Sequence, residues 1–244
     1  MPRKTKSPAG GRGKARGRGS VRNRILAALL LVAMIGGAWA WWHLHHWTPP
    51  RAEFGVQGVE IGSGDGAVSF ASLKAIGADF AYVDASVSAF ARDPLFVANF
   101  EKARAAGLQV GAVHRYDPCQ PADRQAANFV TTVPRDAGLL PPAVELDMLA
   151  DVCPLKVTDA KVESELMTFI NQVETHTGKP TVLKITKAFE ARYGVARKLD
   201  RNLWLVEDRM QPDYAGRPWT MWTANTALAN EVSDGGVRWV VVQR

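Results

Sequence analysis

The chain has 244 residues, 47% of them hydrophobic, with 22% charged residues and a formal net charge of +6. The charge is not spread evenly. Residues 1–24 hold nine Lys/Arg and no acid, and +6 less these nine leaves about −3 for the rest, which excludes a uniformly basic domain. Two cysteines allow at most one internal disulfide.

In chain order, residues 1–24 are a Gly/Arg/Lys-rich tail that cannot bury a core and is expected to be disordered. A free basic arm points to nucleic acid, but the next segment redirects it. Ile25 to Trp42 is an uncharged run of 18 residues, which as a helix spans about 27 Å, close to the hydrocarbon thickness of a bilayer. Trp39, Trp41, Trp42 and Trp47 gather at its far end, where an interfacial aromatic belt belongs. Positive charge lies only before the span. Residues 25–47 therefore read as a transmembrane signal-anchor in the inner (cytoplasmic) membrane, with the tail cytoplasmic, the bulk periplasmic and no nucleic-acid partner. Ala38-Trp39-Ala40 also fits a cleaved signal, but the long basic region and the bulky Trp41 favour the anchor. His43, His45 and His46 sit at the interface, so no metal is assigned to them.

Residues 48–54 read as a linker, and 55–244 as one domain. Strand-like runs fall at 56–61, 80–85, 109–114, 143–147, 181–185, 203–207, 220–223 and 237–243, with helical patterns at 69–76, 94–106, 122–133 and 160–176. Alternation of this kind implies parallel strands with crossover helices. Eight strands suggest closure into an irregular, TIM-like (β/α)-barrel of class α/β, with shortened helices in the C-terminal half. An open doubly wound sheet is the alternative, but no glycine-rich phosphate loop follows the first strand. Gly62-Ser-Gly-Asp-Gly66 is only a turn-rich loop.

In such a barrel, chemistry gathers at the C-terminal ends of the strands. Those ends carry Glu60, Asp84, His114, Glu145 with Asp147, Lys184, Glu207 and Trp222. Glu145 and Asp147 are two positions apart, so their side chains leave one face of the strand together. A converging pair of carboxylates is what glycoside hydrolysis uses, one group protonating the leaving oxygen while the other stabilises or attacks the sugar. Cys119 and Cys153 follow neighbouring strands at similar offsets, so their loops leave one rim, and an exported domain would join them in a disulfide.

Several blocks then carry a family resemblance: Gly58-Val-Glu-Ile, Gly77-Ala-Asp-Phe-Ala-Tyr-Val, Asp93-Pro-Leu-Phe-Val-Ala-Asn99, Ala106 through His114, Gln125-Ala-Ala-Asn-Phe129 and Leu140 through Asp147. In order and spacing they resemble the lysozymes of glycoside hydrolase family 25. The resemblance implies an irregular β/α barrel, no cofactor, and cleavage of the β-1,4 bond after N-acetylmuramic acid in peptidoglycan. It also implies roles. Asp147 stands at the family's acid position, Glu145 would stabilise the transition state or position the N-acetyl group, and Glu60 would support them. Asp84, Tyr82, His114, Lys184 and Trp222 would contact substrate.

The chain departs from the family pattern at the site. The first-strand Asp is Glu60, and the family's Asp-x-Glu is Glu145-Leu-Asp147. Its Lys-Ala-Thr-Glu reads Asp84-Ala-Ser-Val87, and its C-terminal Val-Asp-Leu reads Val237-Arg-Trp239. The tyrosine before His114 is Val113, and the glutamine after Trp222 is Thr223. A non-catalytic wall-binding module is therefore the rival expectation, with Tyr82, Trp222 and Trp239 as aromatic faces for sugars, although barrel packing suits Trp239 better.

Overall fold

The computed structural model describes residues 18–229, 233 and 235–243. It divides into two compact units, Met1–Leu44 and His45–Arg244. The described residues of the first unit lie in helix α1 (Arg18–His45), which contains a stretch from Val21 to His45 long and apolar enough to cross a membrane. The helix begins at Arg18, so the last residues of the expected disordered tail are helical. Residues 1–17 of that tail lie outside the described residues.

The second unit is a closed barrel. Its strands are β1 (Val56–Ile61), β2 (Phe80–Val87), β4 (Gln109–Arg115), β5 (Ala143–Leu146), β6 (Val182–Ile185), β7 (Asn202–Val206), β8 (Met221–Leu228) and β9 (Val237–Val242). They pair in the order β1-β9-β8-β7-β6-β5-β4-β2, and a direct β1–β2 pairing closes the ring. A two-residue strand, β3 (Ala91–Arg92), folds back on β2 as an antiparallel hairpin.

Helices α2 (Phe70–Ala75), α3 (Phe96–Ala105), α4 (Ala122–Thr132) and α5 (Asp159–Thr177) precede β6, and the short α6 (Lys187–Tyr193) and α7 (Val195–Lys198) follow it. The ends of α5 follow from local chemistry. The Thr158 hydroxyl accepts from the Lys161 amide, and Gly178 closes the helix in the left-handed region that glycine enters without a Cβ penalty.

Two features differ from an all-parallel expectation. No helix joins β7 to β8, and β9 runs antiparallel to both β1 and β8. The outer face of these last strands still needs cover, and the segment read as a linker supplies part of it. Phe54 is buried, Gln57 Nε2 donates to the carbonyls of Pro49 and Phe54 at 2.9 Å, and Asn225 Nδ2 donates to Trp47 O. Phe54 also packs on the rings of Trp219 and Trp222. Residues 47–54 are therefore part of the folded unit. An apolar face left open between β8, β9 and β1 would cost roughly 25 cal/mol per Å² of exposed surface.

The barrel interior is filled by Phe80, Tyr82, Val113, Ala143, Val182, Trp204, Met221 and Val240. Side chains alternate along a strand, so the next inward position lies two residues on. Reading upward from this apolar layer gives Asp84 after Tyr82, Arg115 after Val113, Glu145 after Ala143 and Lys184 after Val182. Glu60 follows Gly58, and Arg238 precedes Val240 on the descending β9. A charged layer thus sits directly on a hydrophobic plug. The plug is tight: a Cβ on Gly111 would lie 2.3 Å from the Tyr82 ring, so only glycine fits opposite it.

Candidate active site

The charged layer is organised by three cations. Lys184, 3% exposed on β6, donates to Glu60 Oε1 on β1 and to Glu145 Oε1 on β5, each at 2.6 Å. Its Nζ also lies 5.4 Å from the Trp204 ring centroid. Arg238 reaches Asp84 at 2.9 Å, Asp65 at 3.2 Å and Glu60 at 3.5 Å. Arg115 at the end of β4 forms a two-pronged pair with Asp147, its Nε 3.0 Å from Oδ1 and its Nη2 on Oδ2. Five carboxyls thus face three cations.

Burial sets how these groups ionise. Burial pushes the Glu60 carboxyl up, but Arg238 and Lys184 outweigh it, a hydrogen bond from Asp84 adds to them, and Glu60 ends below the ordinary carboxylate range. Burial followed by the Glu60 charge pushes Asp84 up to about 7, against the pull of Arg238 and Lys184. Burial lowers Lys184, but Glu60 and Glu145 more than restore it, so it stays charged. Opening above this layer is a cavity of about 260 Å³ whose walls include Asp84, Arg92, Asp93, Arg115, Glu145 and Arg238.

The structure gathers Glu60, Asp84, Glu145 and Lys184 into one cluster, with Asp147 held at its edge by Arg115. Three other expected substrate contacts lie elsewhere. Tyr82 is in the plug, 2% exposed, with its ring 5.0 Å from Trp204 and its hydroxyl donating to Pro141 O. It offers no face to a sugar.

His114 points out of the barrel and is fully buried against α4 and α5. It stacks on Phe169 at 4.6 Å, with Nδ1 at Ser86 Oγ and Nε2 at Gln125 Oε1. Burial brings its pKa down to about 4, so it packs as a neutral ring. Trp222 also points outward, among Trp47, Phe54 and Trp219, and its indole N–H donates to Glu207 O. None of these three side chains lines the rim cavity. Trp239 donates to Gln57 Oε1 on that same outer face.

Reading strand ends missed Arg115 and Arg238. Val113 fills the barrel interior, so alternation along β4 puts Arg115 rather than His114 on the inner face. Strand β9 is antiparallel, so its beginning reaches the rim. The signal for Arg238 was a lone charge in the apolar run Val237-Arg-Trp-Val-Val-Val242. Cys119 and Cys153 are joined in a disulfide, with Cα atoms 5.2 Å apart.

A closed barrel with carboxylates clustered beneath a rim cavity is an arrangement that glycosidases use. The sequence profile of glycosyl hydrolases family 25 matches residues 59–227, and the chain belongs to that family. Among solved structures, a family 25 glycosyl hydrolase from Bacillus anthracis superimposes with a TM-score of 0.73 at 23% identity, over 82% of this chain and 93% of that one. A lysozyme from Streptomyces coelicolor gives 0.68 at 22%, over 77% and 91%. These likenesses show the fold.

Among curated proteins, YegX of Escherichia coli is 26% identical over 145 residues, 59% of this chain and 51% of YegX. Lysozyme M1 of Streptomyces globisporus is 35% identical over 65 residues, 27% of this chain and 22% of that protein. The chain spans about half the length of the first curated relatives it matches.

Proposed function

We propose that the protein is a membrane-anchored muramidase-like hydrolase of the cell envelope, held by α1 in the inner membrane with its barrel outside the cytoplasm. Its substrate is peptidoglycan, and it cuts the β-1,4 bond between N-acetylmuramic acid and N-acetylglucosamine. The observation that carries this reading is that Glu145 lines the rim cavity, with Asp147 two residues on and paired to Arg115, which also lines it. In this scheme Asp147 protonates the glycosidic oxygen, Glu145 stabilises the positive charge developing at the anomeric carbon, and Glu60 holds Lys184 against Glu145. Arg115, whose side chain is 47% exposed, must swing off Asp147 as the glycan enters.

The experiment is zymography of the detergent-solubilised full chain on purified peptidoglycan, beside Asp147→Asn and Glu145→Gln. Clearing by the native chain that either substitution abolishes supports the scheme. Equal clearing by Asp147→Asn removes that residue from its role.

The engagement of both Asp147 oxygens by Arg115 favours one rival, a glycan-binding module without turnover. It predicts co-sedimentation with peptidoglycan and no new reducing ends. Because Tyr82 and Trp222 are buried, that binding would rest on the charged walls, chiefly Arg92 and Arg115.

A further inference from the structure

Asp84 is not explained by the scheme above. Its Oδ2 takes the 2.9 Å bond from Arg238 Nη2, while its Oδ1 is buried and has no cationic or backbone donor among the described residues. Glu60 is arranged in the same way: its Oε1 faces Lys184 and Arg238, and its Oε2 is buried without such a donor. Two buried carboxyl oxygens on neighbouring strands, each lacking a donor, satisfy one another only if a proton lies between them. Glu60 pairs with Tyr82, Asp84 is the next inward position on β2, and one guanidinium, that of Arg238, reaches both carboxyls at 3.5 and 2.9 Å. The Asp84 carboxyl lies against the backbone of Gly62, where a Cβ would stand 2.2 Å from Oδ2.

We propose that Asp84 is a positioning residue that carries a proton shared with Glu60, and that this proton governs Glu145 through Lys184. With the proton in place, Asp84 and Glu60 together bear one negative charge, which Arg238 faces, and Lys184 can remain on Glu145. Without it the pair bears two, and Lys184 is drawn toward Glu60 and away from the carboxylate in the cavity wall. The raised titration of Asp84, to about 7, agrees with this geometry. The charged groups around the pair are Asp65 beyond β1, Arg92 and Asp93 beside the cavity, Arg115 on β4, Glu145 on β5, Lys184 on β6 and Arg238 on β9. His114 faces the other side of the sheet.

The test uses Asp84→Asn in the full chain in detergent. An asparagine reproduces the protonated acid, with its carbonyl oxygen toward Arg238 and its N–H toward Glu60, but it cannot lose that proton. The first readout does not depend on turnover. A group whose pKa is raised by folding stabilises the native state fully below its unfolded value, and this contribution is lost as pH rises through the folded value. The native chain should therefore lose thermal stability between about pH 4 and 7, and Asp84→Asn should flatten that slope. An infrared carboxylic C=O band present at pH 6 in the native chain should be absent from the variant.

The second readout rests on the hydrolase reading. The native pH–rate profile should show an alkaline limb near 7 that Asp84→Asn lacks, whatever its absolute rate. Identical stability slopes and no difference in the carboxylic band would overturn the proposal. A lost slope in a chain that never clears peptidoglycan would instead count against the hydrolase and leave the shared proton standing.

Discussion

Replacing Lys184 by Met tests the buried charge layer most directly. Lys184 is 3% exposed and holds Glu60, which is fully buried, and Glu145, which is 17% exposed, each at 2.6 Å. Removing one partner of a buried pair leaves an uncompensated charge, at a cost of about 3–5 kcal/mol. Glu145 can draw on solvent, so most of this falls on Glu60, whose remaining cation, Arg238, is 3.5 Å away. At roughly 2–4 °C per kcal/mol for a domain of this size, the melting midpoint should fall by about 6–20 °C.

The loss also depends on pH. In the native chain Glu60 titrates below its unfolded value, so its stabilising contribution is present above that value and lost as pH falls through the folded one. Without Lys184, burial has less to oppose it and Glu60 takes up a proton more readily. The deficit of Lys184→Met should therefore be largest near neutrality and shrink in acid. Adding Glu60→Gln to Lys184→Met should recover part of the loss, a coupling of about 1–3 kcal/mol. The assay is a thermal melt of the full chain in detergent from acid to neutral pH. A loss under about 1 kcal/mol at neutral pH, or one that grows in acid, would refute the reasoning.

Replacing both Cys119 and Cys153 by Ser frees a loop spanning a sequence separation of 34, and denaturant titration should show a loss of about 3–4 kcal/mol. A shift under about 1 kcal/mol, or two free thiols in the native chain, would count against the bridge. Trp222→Ala should cost about 3–5 kcal/mol in the same titration, because it empties the outer aromatic cluster. Peptidoglycan co-sedimentation by the molecules that remain folded should be unchanged, and the opposite pattern would return Trp222 to the binding surface. An alkaline phosphatase fusion after residue 60 should be active in a bacterial host, whereas activity confined to a cytoplasmic reporter would reverse the orientation.

Most of the barrel was legible in the sequence because apolar runs and helical patterns alternate so regularly. The expected strand at 109–114 is β4 at 109–115, and the expected helix at 122–133 is α4 at 122–132. The face of each strand was harder to read. Both sides of a closed barrel are buried, so β-strands lose the apolar–polar alternation that marks a solvent face. His114 and Arg115 could not be assigned to outside and inside by polarity alone, and a register shift between Asp84 and Ser86 breaks simple counting on β2. Only the partners settle the matter: Phe169 lies beside His114, and Asp147 beside Arg115.

The departures from the family pattern also change meaning once the strands are closed into a ring. Compared position by position, the loss of a lysine at Asp84 and the loss of an acid at Arg238 are two separate defects. In the barrel β1 lies between β2 and β9, and the two side chains meet across it at 2.9 Å as one ion pair of reversed polarity. Either change alone would leave a poorly paired charge in a part-buried layer, at a cost of several kcal/mol. Together they cancel. A cation also returns to the layer from another strand, since Lys184 on β6 sits between the carboxylates of β1 and β5. What the sequence shows as scattered losses is thus an alternative charge arrangement on the same strands. Single reversions toward the family pattern should break it, so Asp84 and Arg238 have to be exchanged as a pair before either can be judged for its part in catalysis.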